Sequence, residues 1–417
     1  MLTILINAYA CGPNRGSEPG MAWNWCCHLA KHCVLHIITE GEFREDIERV
    51  LSTLEYGHNM HFYYLPVGEK IRRMCWNQGD WRFYYYYAKW QKRALNEALR
   101  IIASTHIDVL HQLNMIGFRE PGYLYSIKRI PLVWGPIGGI KQFPLAYARG
   151  GGLRLWMFSA IKNILNRLQL EYAPRINKAF KRADILVSSI PDSQTGIKKY
   201  VRRDSILIPE TGCFESLERD ETRSHNFENV TFRILWIGKF DFRKRLDIAI
   251  KAIGAANLPN VHLKVFGTGN KEQIKAAKNL VDRLGLHGQV HLMGAVRNDR
   301  IMQEMREADL FFFSSINEDT STVVLEAVSN HLPVLCFDCC GMAAVIDSTV
   351  GVKVPLTNPE QSVKDFAERI DYLYHHRDEL QRMSEGCKAK RQELSWEKKA
   401  EQMVEVYHKA MAEHSEN

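Results

Sequence analysis

The chain has 417 residues, 46% hydrophobic and 25% charged, with 55 Lys and Arg against 48 Asp and Glu for a formal charge of +7. This balance excludes a disordered or fibrous chain and leaves room for two hydrophobic cores. The modest basic excess suits an acidic ligand or an anionic membrane surface; with no zinc or helix-turn-helix signature beside it, it argues against a nucleic-acid partner. No run of eighteen apolar residues appears, so no transmembrane helix is expected. The ten cysteines come without a secretory signal pattern, which points to a reducing compartment, the cytoplasm, and to free thiols. Cys336, Cys339 and Cys340 have no second Cys or His pair at zinc-ligand spacing, so they are read as core thiols and no metal is expected.

In chain order, the first expected strand is Leu2 to Ala8, followed by a loop with Gly12, Gly16 and Gly20 and then a helix. Within that loop, "RGSEPG" (15–20) offers Gly16 and Ser17 as points where a ligand and backbone approach closely. Strands follow at "VLHIIT", "HFYYLP", "DVLHQL", "PLVWGP" and "DILVSS". His111 is placed at the cleft-facing end of the third of these, either as a ligand-orienting group or as a satisfied histidine. Two segments are basic, aromatic and amphipathic: one carries Trp76, Trp81, four consecutive tyrosines and Trp90, and the other is "LRLWMFSAIKNILNRL" (153–168). Such helices either lie on anionic lipid or face the core and an acceptor groove.

The polar stretch 206–230 separates this half from a second one that repeats its order. "FRILWIGKFDFRKRLDIAIKAI" reads as strand, charged loop and helix from about Leu246, and strands follow at "HLKVFG", "VHLMG", "LFFFSS" and "PVLCF". Strands alternating with helices imply parallel sheets with right-handed crossovers, hence an α/β chain of two doubly wound, Rossmann-like domains. The expected limits are 1–205, 206–395 and a terminal helix, 396–417. Ligands of such sheets bind beyond the carboxyl ends of the strands, here in a cleft between the domains.

Two features occupy that edge in the second half. The loop after its first strand carries Lys239, Arg243, Lys244 and Arg245, well placed to neutralise phosphates unless it is simply solvated. In "NEDTSTVVLEA" (317–327), Thr320, Ser321 or Thr322 supplies the N-cap of a helix whose start is an anion site. Glu318 and Glu326 flank it as acceptors for sugar hydroxyls, the alternative being carboxylates that favour a helix dipole or a solvated face. An anion pocket with a diol acceptor on either side describes a nucleotide-sugar.

Gly238-Lys239-Phe240 with Lys244, Glu318 and Glu326 eight positions apart, and "NHLPVLCFDCCGM" resemble the donor half of the group 1, or family 4, glycosyltransferases of GT-B fold. The resemblance implies that Lys239 and Lys244 contact the donor diphosphate, that Glu318 holds the donor sugar, and that Thr320, Ser321 and Thr322 offer backbone groups to sugar and phosphate. It further implies that Glu326 holds the ribose, that the segment around Gly294 meets the base, and that the "SWEKKAEQMVEVYHKA" helix returns to the first domain. "DVLHQLNMIGFREPG" and "VWGPIGG" resemble a subgroup that builds bacterial surface polysaccharides such as capsule, exopolysaccharide or O-antigen, and His111 matches the first histidine of the family's His-x-His pair. The sequence departs from the pattern at Lys239, where arginine is usual, at Thr320-Ser321, where an aromatic and a glycine are usual, and at Asn330, where a glycine often stands.

The implied reaction is transfer of a sugar from a nucleotide-sugar, UDP first and GDP second among the bases, to a hydroxyl of a glycan or lipid-linked acceptor with retention of configuration. His111, Lys244 and Glu318 are the candidate catalytic residues; Gly16, Ser17, Lys239, Lys244, Gly294, Glu318, Thr320, Ser321, Thr322 and Glu326 are the candidate donor contacts. There is no Asp-x-Asp, and no cofactor or metal is expected. The cytoplasm, with contact on the inner face of the membrane, is the expected location. A silent nucleotide-sugar-binding module would have lost the phosphate cations or the glutamates; another enzyme of the fold, such as an epimerase or phosphorylase, is the remaining alternative. A nicotinamide-dependent oxidoreductase would need a Gly-x-Gly-x-x-Gly that "CGPNRGSEPG" does not provide.

Overall fold

The computed structural model describes residues 1–76, 82–214 and 230–416. Trp81 of the first aromatic segment and most of the expected boundary stretch lie outside the described residues.

Each apolar run that read as a strand is one, because a strand covered on both faces by helices must be apolar on both. The first sheet contains β1 (Leu2–Ala8), β2 (Cys33–Thr39), β3 (Met60–Tyr64), β4 (Val109–Asn114), β5 (Leu132–Ile137), β6 (Ile185–Ser188) and β7 (Ile206–Leu207), in the order β3-β2-β1-β4-β5-β6-β7. The second contains β8 (Phe232–Ile237), β9 (Val261–Phe266), β10 (Val290–Gly294), β11 (Leu310–Phe313), β12 (Val334–Phe337) and β13 (Gly351–Val354), in the order β10-β9-β8-β11-β12-β13. Every paired strand runs parallel, with Ile4 beside Val109 in one sheet and Leu310 beside Ile234 in the other. Both orders reverse beside the first strand, between β1 and β4 and between β8 and β11, which is where an open parallel sheet leaves a crevice for a ligand.

The chain divides into two units, residues 1–141 with 164–210 and 396–417, and residues 142–163 with 211–395. Residues 142–163, expected in the first domain, therefore group with the second sheet. The reason is Tyr147, which is fully buried among that sheet's core residues, meets Phe337 edge-on and hydrogen-bonds the Ser362 hydroxyl at 2.6 Å.

The terminal helix Trp396–Ser415 belongs to the first unit, and named contacts fix it there. Trp396 packs edge-on against Trp25 at 5.6 Å, Glu397 pairs with His28 and Lys31 at 3.1 and 3.0 Å, and His414 reaches Asp184 at 3.0 Å. Tyr407, fully buried, hydrogen-bonds His111 at 2.7 Å.

Candidate functional site

In the second unit the crevice at the β8/β11 reversal is built by two chain segments tied to each other. Gly238 directly follows β8, its N–H donating to Phe266 O at 3.0 Å, and Phe240 N–H donates to Thr268 O at 2.9 Å. This close approach requires Gly267, which has φ +134° and whose Cβ, if present, would lie 1.8 Å from Gly238 O. Asp241 then turns the loop by accepting the N–H groups of Arg243 and Lys244 at 2.9 and 3.2 Å.

Ser314, just past β11, accepts Trp236 Nε1–H at 3.0 Å and donates to Lys244 O at 2.8 Å, while Ile316 N–H donates to Arg243 O at 2.9 Å. The basic loop is thereby strapped to the end of β11. The strap brings Lys244 Nζ to 2.8 Å from Glu318 Oε1, a pair in which both side chains are mostly buried. Lys244 Nζ also lies 4.8 Å over the Phe313 ring, and Glu318 Oε1 accepts the Ser315 hydroxyl at 3.3 Å. Two residues 74 positions apart in the chain thus meet at the strand ends. Lys239 is exposed at the mouth of the same loop. Arg245 is instead buried and held by Asp247 through two contacts of 2.8 Å, so it supports the loop.

The helix after β11 runs Thr322–Ser329 with Ser321 in the N-cap position. The expected hydroxyl cap is absent: Ser321 makes no side-chain capping bond, and Val324 N–H donates to the Ser321 carbonyl at 3.1 Å instead. Thr320 is buried, and the loop after β12 passes so close that a Cβ on Gly341 would lie 2.5 Å from Thr320 Oγ1. Glu326 is half-buried one turn into the helix, and burial pushes its carboxyl up. Gly294 ends β10 with φ +79°, and its carbonyl accepts Gly267 N–H at 2.8 Å.

In the first unit the corresponding reversal carries acidic groups. A recess of about 120 Å³ is lined by residues that include Tyr9, Ser17, Glu18, Glu40, Glu42 and Met115. Glu40 is held by Arg72 at 2.7 Å and by Val67 N–H at 2.9 Å, and Glu18 Oε1 accepts Ile116 N–H at 3.1 Å. Ser17 sits at φ +55°. Gly20 is the glycine this loop requires, since a Cβ there would lie 1.8 Å from Arg15 O, whereas nothing stands within 4 Å of one on Gly16.

His111 is placed differently from the expectation. It lies inside β4, fully buried, with Nε2 2.7 Å from Gly135 O and Nδ1 2.7 Å from the Tyr407 hydroxyl. A carbonyl only accepts, so Nε2 carries the hydrogen and Nδ1 accepts from Tyr407. Burial lowers its pKa to about 4, which keeps the ring neutral, and with both nitrogens engaged it has no atom left for a ligand.

Sequence reasoning missed Ser314, Ser315, Gly341 and Glu42. The serines of "LFFFSS" read as strand, and the other two gain meaning only from what the fold brings beside them. Among the described residues no group of three or more His, Cys, Asp or Glu side chains could hold a metal ion.

Residues 218–390 match the family described as Glycosyl transferases group 1. Relatives include a D-inositol 3-phosphate glycosyltransferase of Nocardia farcinica, 28% identical over 43% of this chain and 41% of its own. The lipopolysaccharide glucosyltransferase WaaG of Escherichia coli is 33% identical over 29% of this chain and 32% of its own. The chain spans about half the length of the curated relatives it matches. Among solved structures, HepE of Anabaena in complex with UDP covers 97% of this chain and 99% of its own with a TM-score of 0.60 at 14% identity, a likeness of fold.

Proposed function

We propose that the chain, which matches the group 1 glycosyltransferases through residues 218–390 and shares the GT-B fold, transfers a sugar from a nucleotide-diphosphate-sugar, UDP before GDP, to a hydroxyl of a glycan or lipid-linked acceptor in cell-surface polysaccharide assembly. The observation that carries this reading is the Lys244–Glu318 pair, held at 2.8 Å beside a helix start without a side-chain cap. A lysine, a nearby exposed lysine and a helix N-terminus are three sources of positive charge for a diphosphate. In this reading Glu318 accepts donor-sugar hydroxyls, and Glu326, half-buried one turn into the helix, accepts the two ribose hydroxyls. On the same reading Thr320, Ser321 and Thr322 offer backbone N–H groups, the segment at Gly294 meets the base, and Gly16 and Ser17 are the first unit's candidate donor contacts.

In the reaction we infer, the bond from the sugar's anomeric carbon to the diphosphate oxygen breaks as an acceptor hydroxyl attacks the face that the diphosphate leaves, giving retention. A leaving-group oxygen takes the hydroxyl proton. Lys239, Lys244 and the helix start meet the charge that develops, a positioning and electrostatic mechanism without a protein nucleophile. In the absence of an Asp-x-Asp we assign that task to these groups rather than to a bound metal. His111 has a positioning role: it ties β4 to the terminal helix through Tyr407. The enzyme works in the cytoplasm, with its acceptor at the membrane's inner face.

The test is a thermal-shift titration with UDP, GDP, ADP and CMP, repeated on Lys244→Ala and Glu326→Ala, because a ligand that binds only the folded chain raises its melting temperature by mass action. A shift with UDP that weakens in both variants is expected. No shift with any nucleotide would falsify the donor site as drawn.

A further inference from the structure

The helix Leu153–Tyr172 is turned inside out. Leu153, Phe158, Ile161, Ile164, Leu165 and Leu168 are between 45% and 71% exposed, and at about 100° per residue they fall within roughly 140° of the circumference. The opposite side presents Ser159, Asn163 and Asn166 to the protein, all buried. Those polar groups are not stranded there. Asn163 exchanges two 2.9 Å hydrogen bonds with the Phe143 backbone, and Asn166 and Gln169 both accept from the Arg119 guanidinium. The hydrogen bonds fix which side faces inward, so the apolar side faces outward by construction. A continuous apolar stripe of this kind has a cost in water and marks a surface that is covered in use.

Charge identifies what covers it. From residue 142 to the end of the helix at Tyr172 there are four cations, Arg149, Arg154, Lys162 and Arg167, against one carboxylate, Glu171, which pairs with Arg167 at 3.0 Å, so the segment keeps a net charge of +3 (four minus one). Lys162 and Arg167 fall at the two margins of the stripe, where a long side chain lies along an apolar surface with its charge at the edge. A second copy of the chain is a poorer occupant on two grounds. The stripe is about 30 Å by 10 Å, roughly 300 Å², against about 800 Å² per partner in a stable interface. A two-fold contact would also bring like charges together.

We propose that the outward face of helix Leu153–Tyr172 docks on an anionic lipid bilayer, lying in its surface with the apolar side chains below the headgroups and the cations among the lipid phosphates. This rests on the helix alone and stands whether or not the donor reading does. The same docking would hold a transferase at the surface that carries a lipid-linked acceptor.

The test is co-sedimentation of the full chain with vesicles of phosphatidylcholine containing about one-third phosphatidylglycerol, and with phosphatidylcholine alone. Binding to the anionic vesicles is expected, falling about tenfold on the neutral ones and in about 0.5 M salt, where the screening length is only a few ångströms. Ile161→Glu with Leu165→Glu should lose at least about tenfold with the far-UV circular dichroism and melting temperature unchanged. Lys162→Glu with Arg167→Glu, which leaves the apolar stripe intact, should lose the preference for anionic lipid. No binding to anionic vesicles, or equal binding by the Ile161→Glu, Leu165→Glu variant, overturns the proposal. So does a dimer in light scattering that this variant dissociates while vesicle binding stays the same.

Discussion

The two sheets share one position of reversal, yet the side chains beside it differ in charge. After β8 the loop offers Lys239 and Lys244; beside β1, the recess is lined by Glu18 of the first helix and by Glu40 and Glu42, which follow β2. Parallel topology fixes where a ligand can sit, because only there do strand ends open on both sides. It does not choose the ligand. That choice is made by a few side chains on loops the sheet merely positions, and the proposed function assigns the cations of the second unit to an anionic donor.

The largest effect that separates the two loops is steric. Gly267→Ala should destabilise the chain by about 3 kcal/mol, since it combines a strained φ with a clash against a carbonyl, whereas Gly16→Ala should stay within about 0.5 kcal/mol; urea denaturation of both variants checks this. A difference of the opposite sign would break the account of the second loop as the more tightly built.

The first unit has a pH signature of its own in His111. Its folded pKa, about 4, lies below the ordinary histidine value near 6.5. Between those values the unfolded chain binds the extra proton, so stability rises with pH across that window and is lost as pH falls from about 6.5 towards 4. The full loss is about 3 kcal/mol. In His111→Gln that part of the slope should vanish from unfolding free energies measured between pH 4 and 7.

Removing the Lys244 charge should weaken UDP binding by about 2 kcal/mol, roughly thirtyfold, the worth of a charge-assisted contact to phosphate, as isothermal titration would record. Glu326→Gln should cost about tenfold in the same measurement while raising the melting temperature of the unliganded chain at pH 7. Burial raises this carboxyl's pKa, so the folded state gives up its proton less readily and loses stability as pH rises through that pKa; glutamine abolishes the loss. The smallest expected effect is in the acidic recess. Glu42→Gln should reduce kcat/KM for acceptor by a few-fold, less than about 1 kcal/mol, and leave the UDP dissociation constant unchanged. If it altered UDP binding instead, the division of labour between the two regions would fail.

Most of the frame was legible in the residues because a strand buried on both faces has to be an unbroken apolar run. The strands not anticipated were β7, two residues long, and β13, "GVKV", whose glycine and lysine interrupt the apolar signal. Lys244, Glu318 and Glu326 could be picked out from their spacing and from a family resemblance. Their meeting could not, since hydrogen bonds from Ser314 and Ile316 to the basic loop, made across some seventy positions of chain, bring Lys244 to Glu318. The misplaced residue was His111. In one dimension a histidine within an apolar strand looks the same whether it points to a ligand or to a tyrosine 296 positions away.

Period and composition, which act on neighbours along the chain, were enough to determine the two α/β halves, the loops that bear charge and the amphipathic pattern of residues 153–172. Which side of that helix faces water, which domain claims residues 142–163 and which ionisable groups are paired or buried are properties of contacts between distant segments. Packing decides those, because the free energy of a polar or apolar group depends on what the fold brings against it.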